Sequence, residues 1–287
     1  LGGSHVFPKS DYEPLLAGCF HGPQPNPYRC EYGGSTPEQC AELCVNAIEE
    51  IIKFQGPDTV AAVIGEPVSS PLGAIVPGPN YWPMLREVCD KYGCLLIADE
   101  VITGFGRTGK MFGVDHWGLL PDIMLFGKTL ASGYQPIGAT ITTTEVAEKF
   151  IGPGNDLKMA HTLSGHPAGT AAALANLDII EQENLVDRSR KMGEYLLTQL
   201  ETLMKHPIVG EVRGLGLLAA VDLVKNKTTK EPLGDPILGQ KMTRFMLDNG
   251  LYFFTRGSRF EIHPCLTITK EQIDEMVSIL DRTIGYG

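Results

Sequence analysis

The sequence predicts an α/β fold, and three observations carry that prediction. Short apolar runs recur at residues 59–64, 94–98, 123–126 and 137–142, and they are continuous rather than alternating. Helical patterns lie between the earlier runs, and continuous apolar strands separated by helices belong to a parallel or mixed sheet covered on both faces. The last third changes character, with long periodic helices leading into further strand and helix patterns, as in a smaller C-terminal α+β domain. At roughly 150 residues per domain, 287 residues suggest about two domains. The division is placed at 1–180 and 181–287.

The elements follow in order. Residues 1–35 are rich in Gly, Pro, Tyr and His without a sustained period and read as packed irregular chain. Thr36-Pro37-Glu38-Gln39 is a helix start, an N-cap followed by proline at the first position, and Ala41, Val45, Ile48 and Ile52 continue at helical spacing. A second helix is expected over 79–92, between the first two apolar runs. Long helices are expected over 167–185 and 186–206, the first rich in alanine. Strands are expected within 209–224 and 251–262, and helices over 235–249 and 269–284. No internal repeat or low-complexity tract is visible.

Composition narrows the function classes. Hydrophobic residues make up 43 % and charged residues 20 %, enough for a core and too apolar for a disordered chain. Lys plus Arg number 24 against 34 Asp plus Glu, a net charge of −10, which argues against nonspecific nucleic-acid binding. No apolar run approaches the roughly 18 residues of a membrane span. The chain opens Leu1-Gly2-Gly3-Ser4-His5, with no initiator methionine and no signal-peptide pattern, so a cytoplasmic location and a start inside a longer protein are expected. The seven cysteines form no pair or Cys/His pattern with zinc spacing, and no metal site is expected. They read as small buried hydrophobes, with Cys40 and Cys44 able to share one helix face. Asn226-Lys227-Thr228 spells a glycosylation sequon and reads as a polar loop.

Two segments carry candidate chemistry. Leu95-Leu96-Ile97-Ala98-Asp99-Glu100-Val101 is an apolar strand ending in two acids, followed by Gly104-Phe105-Gly106-Arg107-Thr108-Gly109. Ligands in α/β sheets bind outside the carboxyl ends of the strands, where Asp99 would sit. A surface acid or a helix cap is an equal reading of this motif alone. The second segment is Pro121-Asp122-Ile123-Met124-Leu125-Phe126-Gly127-Lys128, which places a lysine at the same sheet edge. A lone lysine there most often snorkels to solvent. An acid and a lysine on neighbouring strand ends, however, are what pyridoxal phosphate requires. The lysine holds the aldehyde, and the carboxylate keeps the pyridine nitrogen protonated so that the ring acts as an electron sink.

At these residues the chain resembles the class III pyridoxal-phosphate aminotransferases. The run from Leu96 to Gly109 is similar to that family's signature, and the segment from Pro121 to Ala139 to its lysine motif. His161-Thr162-Leu163-Ser164-Gly165-His166-Pro167 is similar to its next motif, and Glu66-Pro67-Val68 to an earlier one. The match covers nearly the whole chain in the right order. It implies fold type I, a mostly parallel sheet flanked by helices with a smaller C-terminal α+β domain, and pyridoxal 5'-phosphate as cofactor.

The resemblance also implies roles. Lys128 would hold the cofactor and move the substrate proton. Asp99 would bind the pyridine nitrogen, and Val101 would pack on one ring face. Thr162 would contact the phosphate in a neighbouring subunit, which makes a homodimer or higher oligomer with shared sites the expected unit. As a plain structural residue, Thr162 would instead cap the helix near Pro167. Arg256 resembles the mobile arginine of the amine–pyruvate and β-alanine–pyruvate branch, where it binds a carboxylate, and Arg259 is an alternative three residues on. Ornithine and 4-aminobutyrate members carry an arginine where this chain has Glu261, which argues against those branches. Glu66, the family glutamate that pairs with that arginine, would then contact substrate differently. Arg213 reads as part of a structural ion pair.

The expected reaction moves an amino group from an ω-amino acid or primary amine to an α-keto acid, with pyruvate as the expected acceptor. An aminomutase, a decarboxylase or a non-catalytic fragment kept for dimerisation is the alternative. The family's N-terminal segment, with a Gly/Ser phosphate loop and a ring-stacking aromatic, has no counterpart here. The chain by itself is therefore expected to hold an incomplete cofactor site.

Overall fold

A computed structural model describes residues 9–252, 255–256 and 258–286. The opening Leu1 to His5 lies outside them.

The first helix starts where the sequence placed it. Thr36 caps α1 (Pro37–Gln55), its hydroxyl accepting from the Gln39 N–H at 3.2 Å, with proline in the first turn. The apolar face of α1 packs on α2 (Tyr81–Tyr92) through Cys40, Ala41, Cys44, Val45, Ile48 and Ile52 against Trp82, Leu85 and Cys89. Each large apolar side chain buried there contributes about 2 kcal/mol. Helix α2 ends at Gly93, which takes φ 70°, a conformation that favours glycine.

These helices lie beside a four-stranded sheet. Strands β1 (Ala62–Gly65), β2 (Leu95–Asp99) and β3 (Ile123–Phe126) run parallel in that order. Strand β4 (Ala139–Thr142) closes the edge antiparallel to β3, so the sheet is mixed. A one-turn helix α3 (Thr144–Glu148) follows. Helix α4 (Pro167–Gln182) follows, and its Ala173 joins Phe126 and Leu130 in one apolar cluster. The cap of α4 is His166, whose Nδ1 accepts from the Gly169 N–H at 3.4 Å. Thr162, four residues earlier, does not cap it. A histidine ring nitrogen reaches the free N–H groups as a threonine hydroxyl would, and the proline at the first position fixes the register.

Helix α5 (Leu185–Glu201) leads to the second sheet. Its strands are β5 (Val209–Leu215), β6 (Leu218–Asn226), the short β7 (Glu231–Pro232), β8 (Thr255–Arg256) and β9 (Arg259–Ile262). The order is β5-β6-β9-β8, with β7 paired to β6, and all pairings are antiparallel. Helices α6 (Pro236–Asp248) and α7 (Lys270–Tyr286) cover it with α5. One apolar cluster spans both sheets, from Phe105 and Phe126 to Leu196, Val221 and Ile279.

The Gly104–Gly109 loop is the joint between the two sheets. Arg107 donates to the Leu217 carbonyl at 3.0 Å and to the Pro264 carbonyl, both beyond the second sheet's strands. Gly109, at φ 86°, lies where a Cβ would be 2.9 Å from the Arg190 Cα. Gly216, at φ 58°, answers from the other side, with 2.3 Å from its would-be Cβ to the Thr108 carbonyl carbon. These glycines permit backbone to approach backbone.

Candidate functional site

Three charged residues leave the carboxyl ends of three adjacent strands. Glu66 follows β1, whose last residue Gly65 pairs with Ala98, and the next residue of β2 is Asp99. Asp99 pairs with Leu125 of β3, and Lys128 comes three residues on. Parallel register thus brings Glu66, Asp99 and Lys128 to one sheet edge, as strand ends in this architecture do.

Each is held by its own local device. Buried Trp82 fixes the start of the Glu66 segment: its indole N–H donates to the Pro67 carbonyl at 3.3 Å, and its ring lies 3.4 Å from where a Gly65 Cβ would be. Glu66 then accepts from the Ser70 N–H at 3.3 Å and the Ser69 hydroxyl at 3.4 Å. Burial raises the Glu66 carboxyl to about 7, Asp99 adds to the rise, and the Ser70 and Ser69 hydrogen bonds and Lys128 oppose it. Asp99 Oδ1 accepts from the Val101 N–H at 3.1 Å, which turns the chain at the strand exit and leaves Oδ2 outside that bond.

Val101 lies against the backbone before the lysine, its Cγ1 being 3.5 Å from where a Gly127 Cβ would be. Lys128 is exposed and takes φ 38°. A non-glycine residue in that region costs of order 1–3 kcal/mol and is held there by its surroundings. The short turn from Lys128 to Leu130 supplies the hold, with the Leu130 N–H on the Gly127 carbonyl at 2.8 Å and Asn176 of α4 donating to the Thr129 carbonyl at 2.7 Å.

The two acids ending β2 have different tasks, which the sequence did not separate. Glu100 is buried and accepts from the Thr103 hydroxyl at 2.5 Å and the Gly113 and Val114 N–H groups at 2.8 and 2.9 Å. It staples the loop beyond the strand, and only Asp99 faces the edge shared with Lys128. Trp82 and Asn176 were also not singled out by sequence. Trp82 belongs to an amphipathic helix and Asn176 to an alanine-rich one, and neither pattern shows what their polar atoms reach.

The remaining predicted residues lie apart from this edge in differing degrees. Thr162 is exposed in a turn, within a stretch from 147 to 168 that is exposed throughout. Arg256 ends β8 opposite Arg259, and its side chain lies outside the described residues. Arg259 donates to the Leu72 carbonyl, and its Nη2 lies 3.8 Å from Glu261, which is buried. Arg213 is a structural ion-pair residue, as read from sequence: it pairs with Glu211 and Asp222 and donates through Nε to the Gly73 carbonyl at 2.6 Å. His263, at the end of β9, meets the Ser70 hydroxyl at 3.5 Å and so touches the segment that holds Glu66.

Known proteins share this arrangement over most of the chain. Residues 4–284 match the family described as aminotransferase class-III. The taurine–pyruvate aminotransferase of Bilophila wadsworthia is 40 % identical over 96 % of this chain and 62 % of its own length. The putrescine–pyruvate aminotransferase of Pseudomonas aeruginosa is 38 % identical over 99 % of this chain and 62 % of its own. An amine transaminase from an uncultivated Pseudomonas species, solved in its PLP-bound form, superposes with a TM-score of 0.92 at 41 % identity, covering 96 % of this chain and 63 % of that one. An (S)-enantioselective omega-transaminase from Thermomicrobium roseum gives 0.91 at 38 %, covering 96 % and 61 %. The chain therefore spans a little over three fifths of the length of these relatives. Its two sheets and their helices have the fold type I arrangement of those transaminases, and with the ordered strand ends at Glu66, Asp99 and Lys128 the chain belongs to the class-III aminotransferases.

Proposed function

We propose that the protein transfers an amino group from an ω-amino acid or primary amine to an α-keto acid, pyruvate being the acceptor, with pyridoxal 5'-phosphate as cofactor. The observation that carries this reading is the pairing of Asp99 and Lys128 at adjacent strand ends in parallel register. The donor set fits the cofactor: an exposed amine, an acid with one oxygen outside its backbone bond, and an apolar side chain between their backbones. When bound, the cofactor supplies an electron sink for the bond broken at the substrate carbon.

The residues have these tasks. Lys128 would hold the cofactor through its amine and would move the proton at the substrate carbon. Asp99 would accept from the ring nitrogen of the cofactor and so favour its protonated form. Val101 packs on the ring and excludes water from one face. Thr162 binds the cofactor phosphate of a second copy, so the working unit is a homodimer or larger. The exposed stretch around it, with Ile151 at 70 % and Leu163 at 73 % exposure, supports burial against another copy. Arg256 receives the acceptor's carboxylate. Glu66 borders the substrate and changes charge near neutral pH. The division at 180 belongs to the same proposal, although that position lies within α4.

The pyruvate acceptor is supported by two relatives whose names specify pyruvate. The test is an amine-donor screen on the purified protein with pyruvate present, reading alanine. Alanine formed with a primary amine or ω-amino acid supports the reading. Amine turnover without any keto acid identifies the aminomutase or decarboxylase alternative.

A further inference from the structure

The chain after Glu66 leaves the first sheet and is built onto the second. Residues 69–75 form a tight loop there. Ser69 and Ile75 close it with two backbone hydrogen bonds at 3.0 Å, and the Gly73 N–H donates to the Ser70 carbonyl at 2.8 Å. Val68 and Ala74 at its base are fully buried and pack with Leu218 and Ala220 of β6.

Strand alternation explains the face that receives this loop. Leu218, Ala220 and Asp222 point to one side of β6, while Ala219 and Val221 between them join the cluster under the helices. Antiparallel register adds partners on the same side: Glu211 and Arg259 flank Asp222, and Arg213 and Glu261 flank Ala220. The face is thus apolar along its middle and charged along its flanks, and the loop meets both parts.

The flanks hold the tip of the loop. Arg213 Nε donates to the Gly73 carbonyl at 2.6 Å, and Arg259 Nη1 donates to the Leu72 carbonyl. Two directional donors on consecutive carbonyls fix the orientation of the tip, which apolar contact alone leaves free to slide. Arg213 is itself held by Glu211 and Asp222, and Arg259 stands 3.8 Å from Glu261. Gly73 lies between the two guanidiniums at φ 86°, and a Cβ there would be 2.8 Å from Arg259 Cδ and 2.9 Å from Arg213 Nη2. At the other end of the loop, the Ser70 N–H and the Ser69 hydroxyl reach the Glu66 carboxyl at 3.3 and 3.4 Å. Hydrogen bonds within one short loop therefore connect the guanidiniums to that carboxyl.

We propose that Arg213 and Arg259 are positioning residues for Glu66. By holding the tip of the loop, the second sheet sets where the Glu66 carboxyl stands at the first sheet's edge, and with it how tightly a donor amine binds. The last clause rests on the reading that Glu66 borders the substrate. Neither arginine touches substrate in this role, and each acts through the loop alone.

The first measurement is the titration of the Glu66 carboxyl in the purified protein, read by side-chain carboxyl carbon NMR and assigned by its loss in Glu66→Gln. The groups that face Glu66 are Asp99 and Lys128 from the neighbouring strand ends, with His263 behind Ser70 at 3.5 Å. All three stay in place in every variant. Burial is the largest cause that raises Glu66 to about 7. Gly73→Ala, which pushes the tip off the arginines, should therefore let the titration fall toward 4.5. Arg213→Lys keeps a charge beside Asp222 but loses the Nε donor, and should move the titration the same way by less. Thr36→Ala removes the α1 cap and should lower the urea midpoint while leaving the Glu66 titration unmoved. A titration unmoved in both folded loop variants overturns the proposal.

The second measurement is steady-state transfer to pyruvate. Gly73→Ala should raise KM for the amine donor about fivefold with kcat within about twofold of the parent. In a Glu66→Gln background the same substitution should add nothing, because its effect passes through that carboxyl. An equal rise in both backgrounds also overturns the proposal. Absence of transfer by the parent would instead count against the aminotransferase reading, and the titration, which needs no turnover, would still decide this one.

Discussion

Two groups of charges meet the two ends of one segment, residues 66–73, and they are built in opposite ways. At the first sheet's edge, Glu66, Asp99 and Lys128 are neighbours whose bonds go to backbone and hydroxyl groups rather than to opposite charges at contact distance. Beside the second sheet, Arg29, Arg213 and Arg259 are interleaved with Glu211, Asp222 and Glu261, and two of these arginines also grip the carbonyls of Leu72 and Gly73. Desolvated charges paired with opposite charges hold surfaces in place, because each offsets part of the burial cost of the other. Charges brought together without such partners are left able to exchange protons and to bind a ligand. Acids and cations thus form a joint in one region and, in the proposed function, the reactive groups in the other, and partner supply makes the difference.

That contrast yields predictions in order of size. The largest concerns Lys128: Lys128→Ala should lower kcat for amine transfer by about 10⁴-fold or more while leaving the urea midpoint close to the parent's. A variant retaining a tenth of the activity would remove Lys128 from the chemistry. Next, Asp222→Ala strands Arg213 and Arg29 in the joint and should destabilise the fold by about 3–5 kcal/mol, read by urea unfolding. If stability were unchanged and activity lost, the two regions would have been assigned the wrong way round.

Asp99→Asn keeps the shape and removes the charge, so a fall in kcat of about 10²-fold is expected with an unchanged unfolding curve. The last effect is Glu66's, and it appears only above neutral pH. Its carboxyl is raised from 4.5 to about 7, so between those values the folded state binds more protons than the unfolded state. Stability from this group is full below 4.5 and is lost as pH rises through 7. Glu66→Gln should therefore gain roughly 3 kcal/mol over the parent at pH 8 and almost nothing at pH 4.5. Urea unfolding of cofactor-free protein at the two pH values measures it, and an equal gain at both would show that Glu66 does not titrate there.

Much of the arrangement is legible along the chain, and the exceptions have physical causes. Thr36-Pro37 marks the start of α1 because capping is local: the hydroxyl and the N–H it accepts are three residues apart. The cap of α4 escaped the same reasoning, because a histidine took over a task for which Thr162 was a candidate. The glycine loop from 104 to 109 reads as a motif, but its use as a joint depends on Arg190, Gly216 and Leu217, each far along the chain. Glu100 and Asp99 look alike in sequence, and only the fold of residues 103–114 back onto the strand end decides which is consumed as a staple.

By itself the sequence determined the α/β class, the order of elements and the acid and lysine on neighbouring strands, because these follow from local periodicity and motif order. Tertiary structure decided the register that sets Glu66, Asp99 and Lys128 at one edge, the staple on Glu100 and the burial that moves Glu66 toward neutrality. Those depend on which distant groups supply partners or exclude water, and such contacts have no signature in the chain until it folds.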